Sequence, residues 1–168
     1  MREVAPGSDF DAPGDAGVAP DPLPATLEWR SGTIRLVDQR RLPGELAFVD
    51  VATVDELCEA ISGLVIRGAP ALGVAGAMGV AIAAHLGQDV QAAASRIVET
   101  RPTAVNLRWG VERALIATDP VRAAQEMAAE DVRRNRRLGA VGAALLADRT
   151  RVLTHCNTGS LACAGYGT

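Results

Sequence analysis

Residues 71–84, ALGVAGAMGVAIAA, carry no charged and no polar side chain, and this run limits what the chain can become. A helix that is apolar all round has no face to offer water, so it belongs inside a domain with neighbours on every side. Gly73, Gly76 and Gly79 fall three apart within it. Each costs about 1 kcal/mol of helix propensity, which is repaid where another backbone packs directly against it. Pro70, just before the run, suits the first turn of a helix, so a helix is predicted over about 70–86. The 14 residues of 71–84 fall short of the roughly 20 needed to span a bilayer as a helix.

The chain can surround such a helix. Its 168 residues are 48% hydrophobic, enough for the core of one ordinary domain. Aromatic residues make up only 3%, so that core rests on Ala, Val, Leu and Ile. Residues 1–24, rich in Ala, Pro, Gly and Asp, hold too few large apolar side chains to repay ordering and are expected to be a disordered tail. Two short strands are predicted around Ser31-Gly32 and a third over 46–51, after Leu42-Pro43-Gly44, making a small antiparallel meander. Thr53 and Glu56 have the spacing of a capping box, with Val54, Leu57, Ile61 and Leu64 on one helical face. Further helices are expected over about 88–99, 103–118 and 120–147, with Leu138-Gly139 marking where the last would break.

RVLTHC at 151–156 reads as a strand, and NTGSLACAGYGT as a turn into another helix. A strand must pair, and no later strand follows within the 168 residues. The expected architecture is therefore an α+β N-terminal domain at 25–147, a small antiparallel sheet plus a helical bundle. Residues 148–168 would be the first strand and turn of a truncated Rossmann-like α/β domain.

Composition also narrows the function. A net charge of -3 and a pI near 5.4 exert no overall pull on nucleic acid or an acidic membrane. The run RRNRR at 133–137 follows Glu126, Glu130 and Asp131 at helical spacing with no interleaved aromatics, which suits a solvated helix face. The three cysteines, Cys58, Cys156 and Cys163, are odd in number and lack Cys-x-x-Cys spacing, and only His85 and His155 accompany them. Neither a disulfide framework nor a metal site is expected. The N terminus has no basic stretch leading into an apolar one, so a cytoplasmic protein acting on a small molecule is expected.

Three segments could carry chemistry. In Arg67-Gly68-Ala69-Pro70 a guanidinium stands just before a helix start beside two small residues with backbone N–H groups, a compact cradle for phosphate or else an ordinary turn. Arg101, before Pro102 and Thr103 at the expected leading end of a helix, could make a second phosphate contact or simply face solvent. Cys156 lies at the expected carboxyl end of a strand, where α/β proteins place ligands and where a helix N terminus lowers a thiol's pKa. It could serve in proton transfer or merely pack. His155, adjacent to it, should point to the opposite face. Cys58 and Cys163 are read as packing residues.

In this order, VIRGAPALGVAGAMGVAIAA, RPTAVNLRWGVERA and VLTHCNTGSLACAGYGT resemble the three N-terminal signature blocks of the methylthioribose-1-phosphate isomerases, within the wider translation initiation factor 2B-like superfamily. The resemblance runs from about residue 27 to 168. It implies conversion of 5-methylthioribose 1-phosphate to 5-methylthioribulose 1-phosphate in methionine salvage, by a homodimer with no metal or organic cofactor. It also implies that Arg67, Gly68, Ala69 and Arg101 bind substrate and that Cys156 stabilises the transition state or moves a proton. The family's catalytic aspartate, a substrate-binding Gln and an Asn-Lys pair would fall beyond residue 168, so this chain alone is expected to be inactive. The alternatives are a ribose-1,5-bisphosphate isomerase relative and a non-catalytic initiation factor 2B-like regulatory subunit.

Overall fold

The computed structural model describes residues 24–146 and 151–167. The tail read as disordered lies outside the described residues except for Pro24, as does 147–150, where the domain boundary is expected. Strands β1 (Leu27–Arg30), β2 (Thr33–Val37) and β3 (Phe48–Val51) form an antiparallel sheet in that order. Ser31 and Gly32, at φ 46° and 97°, make the tight turn between the first two, since two left-handed residues match the twist of the flanking strands. Ile34 pairs with Val51 and Leu36 with Val49, and Ile34, Leu36 and Val51 are buried. The alternate residues face outward, where Arg35 Nε meets Asp50 Oδ1 at 2.9 Å. Being exposed, that pair adds little to stability.

Among the described residues five α-helices follow: α1 (Val54–Ser62), α2 (Ala69–His85), α3 (Val90–Thr100), α4 (Val105–Leu115) and α5 (Pro120–Leu146). The capping box at α1 forms as expected. Glu56 N donates to Thr53 Oγ1 at 3.2 Å, and Thr53 N donates back to Glu56 Oε2 at 3.0 Å. Leu64, predicted on the buried face, instead lies beyond the helix end at φ 59°, exposed to solvent. Asp89 caps α3 by accepting from the backbone N–H of Gln91 and Ala92. The fourth helix starts at Val105 rather than at 103, and α5 runs unbroken through Leu138-Gly139.

Helix α2 is the axis of the domain. Every residue from Ala71 to Ala83 is buried, and α1, α3, α4 and α5 all pack on it. Its glycines set how closely they come. A side chain at Gly73 would begin 3.0 Å from the Asn106 carbonyl oxygen of α4, and one at Gly76 would begin 2.9 Å from that of Leu107. At Gly79 it would strike Leu57 of α1 and Ile97 of α3. The closest approach is made by Gly110, where a first side-chain carbon would stand 1.9 Å from the Gly73 carbonyl oxygen. Two helices whose backbones touch in this way tolerate no Cβ at the crossing.

The chain after α5 departs from the expectation. Residues 151–156 form no strand but an exposed irregular segment. The physical reason is pairing: no strand of the described sheet is registered against this segment, and an unpartnered strand is not stable in water. The helix expected next is a single 3-10 turn at Ser160–Ala162. That turn is anchored on the N-terminal domain, where Thr26 N donates to Ala164 O at 2.9 Å. The described residues therefore form a three-stranded antiparallel sheet and a helical bundle, with 159–167 folded back onto them.

If the Gly73–Gly110 approach sets the helix spacing, Gly110→Ala should cost about 3 kcal/mol or more, because backbone cannot yield as a side chain can. Gly142→Ala, in α5 with nothing within 4 Å of the added carbon, should be neutral or raise stability by up to about 1 kcal/mol. Urea unfolding midpoints of the two variants check this pair.

Candidate functional site

The loop between α1 and α2 delivers Arg67, Gly68 and Ala69 to the N-terminal end of α2. Gly68 is the N-cap at φ 103° and ψ 132°, its carbonyl takes the first helical bond from Leu72 N at 2.9 Å, and no side chain caps the helix. An uncapped first turn leaves N–H groups without intrahelical partners, and the helix dipole favours an anion there. Pro70 contributes no donor but fixes the start of the helix. The Arg67 side chain is exposed, and among the described residues its guanidinium has no carboxylate partner.

Against this loop lies the turn that follows the cysteine. A side chain at Gly68 would begin 2.5 Å from Ala162 Cα, so the two segments meet backbone to backbone. Gln39, 5% exposed, ties them together: its Nε2 donates to Leu161 O at 2.9 Å and, more weakly, to Arg67 O at 3.4 Å. Thr26 Oγ1 donates to Ser160 O at 2.7 Å. From α5, Asp131 Oδ2 accepts from Ala164 N at 2.8 Å, and Asn135 Nδ2 donates to Tyr166 O at 3.1 Å. Arg136 lays its guanidinium 5.6 Å from the centre of the Tyr166 ring.

The structure thus joins the first and third sequence segments, and the second connects α3 to α4. Arg101 is half-buried at the C-cap of α3, not at the leading end of α4, with its N–H bonded to Val98 O. Its carbonyl accepts from Ala104 N at 2.9 Å, closing the turn that leads into α4. Cys156 is exposed at φ 65°, three positions ahead of Gly159, the N-cap of the anchored turn, and His155 is exposed beside it. The α-helix expected to acidify the thiol is replaced by the three-residue turn at 160–162. Cys163 is buried, as expected of a packing residue, and the half-buried Cys58 thiol is pushed up by desolvation.

Four residues of this assembly, Thr26, Gln39, Asp131 and Asn135, are not legible as site residues in the sequence. The only available hint for two of them is that Asp131 and Asn135 are four apart in a helix and so share a face. Of the basic run, Arg133, Arg134 and Arg137 are exposed, and Glu130 pairs with both Arg134 at 2.7 Å and Arg113 at 3.0 Å, which is the solvated face expected. Among the described residues no three His, Cys, Asp or Glu side chains gather as a metal ion would require, and no helix is long and apolar enough to cross a membrane.

A small antiparallel sheet beside a bundle built on a buried helix, with a loop-to-turn junction at that helix's N terminus, defines the class. The model of the Initiation factor 2 subunit family matches residues 65–164, which spans α2 and both joined segments, and the chain belongs to that family. Within it, the chain is 46% identical over 158 residues to a methylthioribose-1-phosphate isomerase of Anaeromyxobacter sp. (strain Fw109-5), covering 89% of this chain and 47% of the relative. The crystal structure of 5-methylthioribose 1-phosphate isomerase from Pyrococcus horikoshii OT3 superposes with a TM-score of 0.77 at 34% identity, over 88% of this chain and 48% of that one. A crystal structure of translation initiation factor eIF-2B, subunit delta, from A. fulgidus gives a TM-score of 0.74 at 40% identity, over 85% and 48%. The chain spans about half the length of the curated relatives it matches. The resemblance read from the three motifs is borne out, as is the α+β character of the N-terminal domain.

The Gly68–Ala162 contact can be tested by contrast. Gly68→Ala meets both a left-handed φ and the Ala162 backbone and should cost about 2–4 kcal/mol. Gly87→Ala, at φ 66° with nothing within 4 Å, should cost only the strain of about 1 kcal/mol. Thermal melts of both variants give the difference.

Proposed function

We propose that this chain is the N-terminal, substrate-holding half of an aldose-ketose isomerase that converts 5-methylthioribose 1-phosphate to 5-methylthioribulose 1-phosphate. The observation that carries the reading is the junction of the Arg67-Gly68 loop with the turn after Cys156, in a chain 46% identical to an isomerase bearing that name. The loop supplies what a phosphate needs: an arginine beside an uncapped helix N terminus. Arg101, at the end of α3, is proposed as a second cationic contact, and the backbone N–H groups of Gly68 and Ala69 as donors to the phosphate.

The chemistry explains why an acid/base residue belongs beside this cradle. A phosphate on the anomeric carbon prevents the sugar from opening to a free aldehyde. Instead the bond from C1 to the ring oxygen breaks and that oxygen takes a proton. Hydrogen moves from C2 to C1, and the C2 hydroxyl gives up its proton as it becomes the carbonyl. Atoms balance with no oxidant, reductant or cofactor. Cys156 is the group of this chain proposed to assist the proton movements.

The remaining machinery belongs to the half of the relatives that this chain does not match. In that setting residues 151–156 become the first strand of a Rossmann-like α/β domain, supplied with the partner strands they lack here. The complete protein is proposed to be a cytoplasmic homodimer acting in methionine salvage, and the 168-residue chain by itself to be inactive. The similarity to an initiation factor subunit favours a second reading, a regulatory subunit with no turnover.

Steady-state assay of the complete gene product with 5-methylthioribose 1-phosphate separates the two. The isomerase reading predicts turnover, a fall in kcat of about 100-fold or more for Cys156→Ser, and a rise in KM of about tenfold for Arg67→Ala, the loss of roughly one charge-assisted contact. Absence of turnover, or an unchanged rate in Cys156→Ser, would favour the regulatory reading.

A further inference from the structure

The segment after the cysteine is held from two sides, and the hold from α5 is unlike ordinary packing. Asp131 and Asn135 lie one helical turn apart and grip backbone groups of opposite kind: the carboxylate takes the Ala164 N–H at 2.8 Å, and the amide gives to the Tyr166 carbonyl at 3.1 Å. Asn135 is 4% exposed, and Asp131 is half-buried. Burial raises the Asp131 carboxyl above its usual range, with the Ala164 N–H and Arg134 pulling the other way. A carboxylate placed where desolvation penalises its charge is a poor choice for stability alone, and an apolar side chain would fill the same space without that cost. What an apolar side chain could not do is accept from Ala164.

The grip matters because of what stands opposite. Thr26 binds Ser160 O, Gln39 binds Leu161 O, and Ala162 abuts Gly68, so 160–162 is pressed onto the Arg67-Gly68 loop from one side while α5 holds 164–166 on the other. Cys163 sits between the two sets of bonds and is buried. Residues 151–158 are exposed throughout. The anchored turn is therefore the fixed point from which Cys156, three residues ahead of Gly159, is presented.

We infer that Asp131 and Asn135 are positioning residues: they clamp the 160–166 segment between α5 and the Arg67-Gly68 loop, and so set where the Cys156 loop stands relative to the phosphate cradle. The clamp itself is a property of this chain, while its consequence for turnover rests on the isomerase reading above.

Peptide-resolved alkylation of the 168-residue chain with iodoacetamide reads the clamp directly, using the buried Cys163 as reporter and the half-buried Cys58 as control. Asp131→Ala should raise the Cys163 rate at least tenfold while leaving Cys58 within twofold. Asp131→Asn, which keeps an acceptor oxygen and removes the buried charge, should restore the slow rate. Equal acceleration of Cys58 and Cys163 would mean general loosening and would overturn the clamp, as would no change at Cys163. If Asp131→Ala fails to fold, amide exchange of the unsubstituted chain decides: the Ala164 N–H lies outside every helix and strand and should nevertheless exchange at least 100-fold more slowly than an unstructured amide. Exchange at the unstructured rate would refute the proposal. In the complete gene product, Asp131→Ala should lower kcat about tenfold and Asp131→Asn should recover most of it. If the unsubstituted gene product shows no turnover, the isomerase reading fails while the alkylation result stands by itself.

Discussion

Everything described here hangs on the approach of α2 to α4 at Gly73 and Gly110, where one missing Cβ on each side lets two backbones touch. Helix α2 offers no polar face, so it is stable only when enclosed, and enclosure by four helices at van der Waals distance requires small residues along it. The domain has little aromatic bulk to fill gaps, and close approach of Ala- and Gly-rich surfaces takes the place of large side chains. The glycines that weaken α2 as an isolated helix are what allow it to be the centre of a bundle.

That enclosure positions the site. With α2 held by its neighbours along its length, its N terminus becomes a fixed point, and the Arg67-Gly68 loop inherits that rigidity. The turn at 160–162 then docks on the loop through the same device used within the bundle, a glycine meeting another backbone, here Gly68 against Ala162. Buried polar residues complete the contact because the loop and the turn present carbonyl groups that must be satisfied away from water. Gln39 does this for two segments at once.

Features whose causes are local were readable in the sequence. The Thr53–Glu56 capping box, the Ser31-Gly32 turn and the buried run of α2 each depend on residues within a few positions of one another. The site's supports were not readable, because Thr26, Gln39, Asp131 and Asn135 bind partners 134, 122, 33 and 31 residues away. No spacing rule reaches across such separations. The strand expected at 151–156 failed for a related reason: alternation in sequence describes a strand's faces, but its existence depends on a partner, and no strand of the described sheet pairs with this segment. Arg101 was placed at the head of α4, whereas Ala104 N bonds back to Arg101 O and the helix begins only at Val105, leaving the arginine at the end of α3.

The central claim is that the Arg67 loop and Cys156 serve one ligand. The most direct measurement is the rate of Cys156 alkylation in the complete gene product, with and without saturating 5-methylthioribose 1-phosphate. The account predicts at least tenfold protection of Cys156 by the sugar phosphate, lost in Arg67→Ala at the same concentration. Alkylation of Cys156 at one rate with and without ligand, in a protein shown by calorimetry to bind it, would contradict the account.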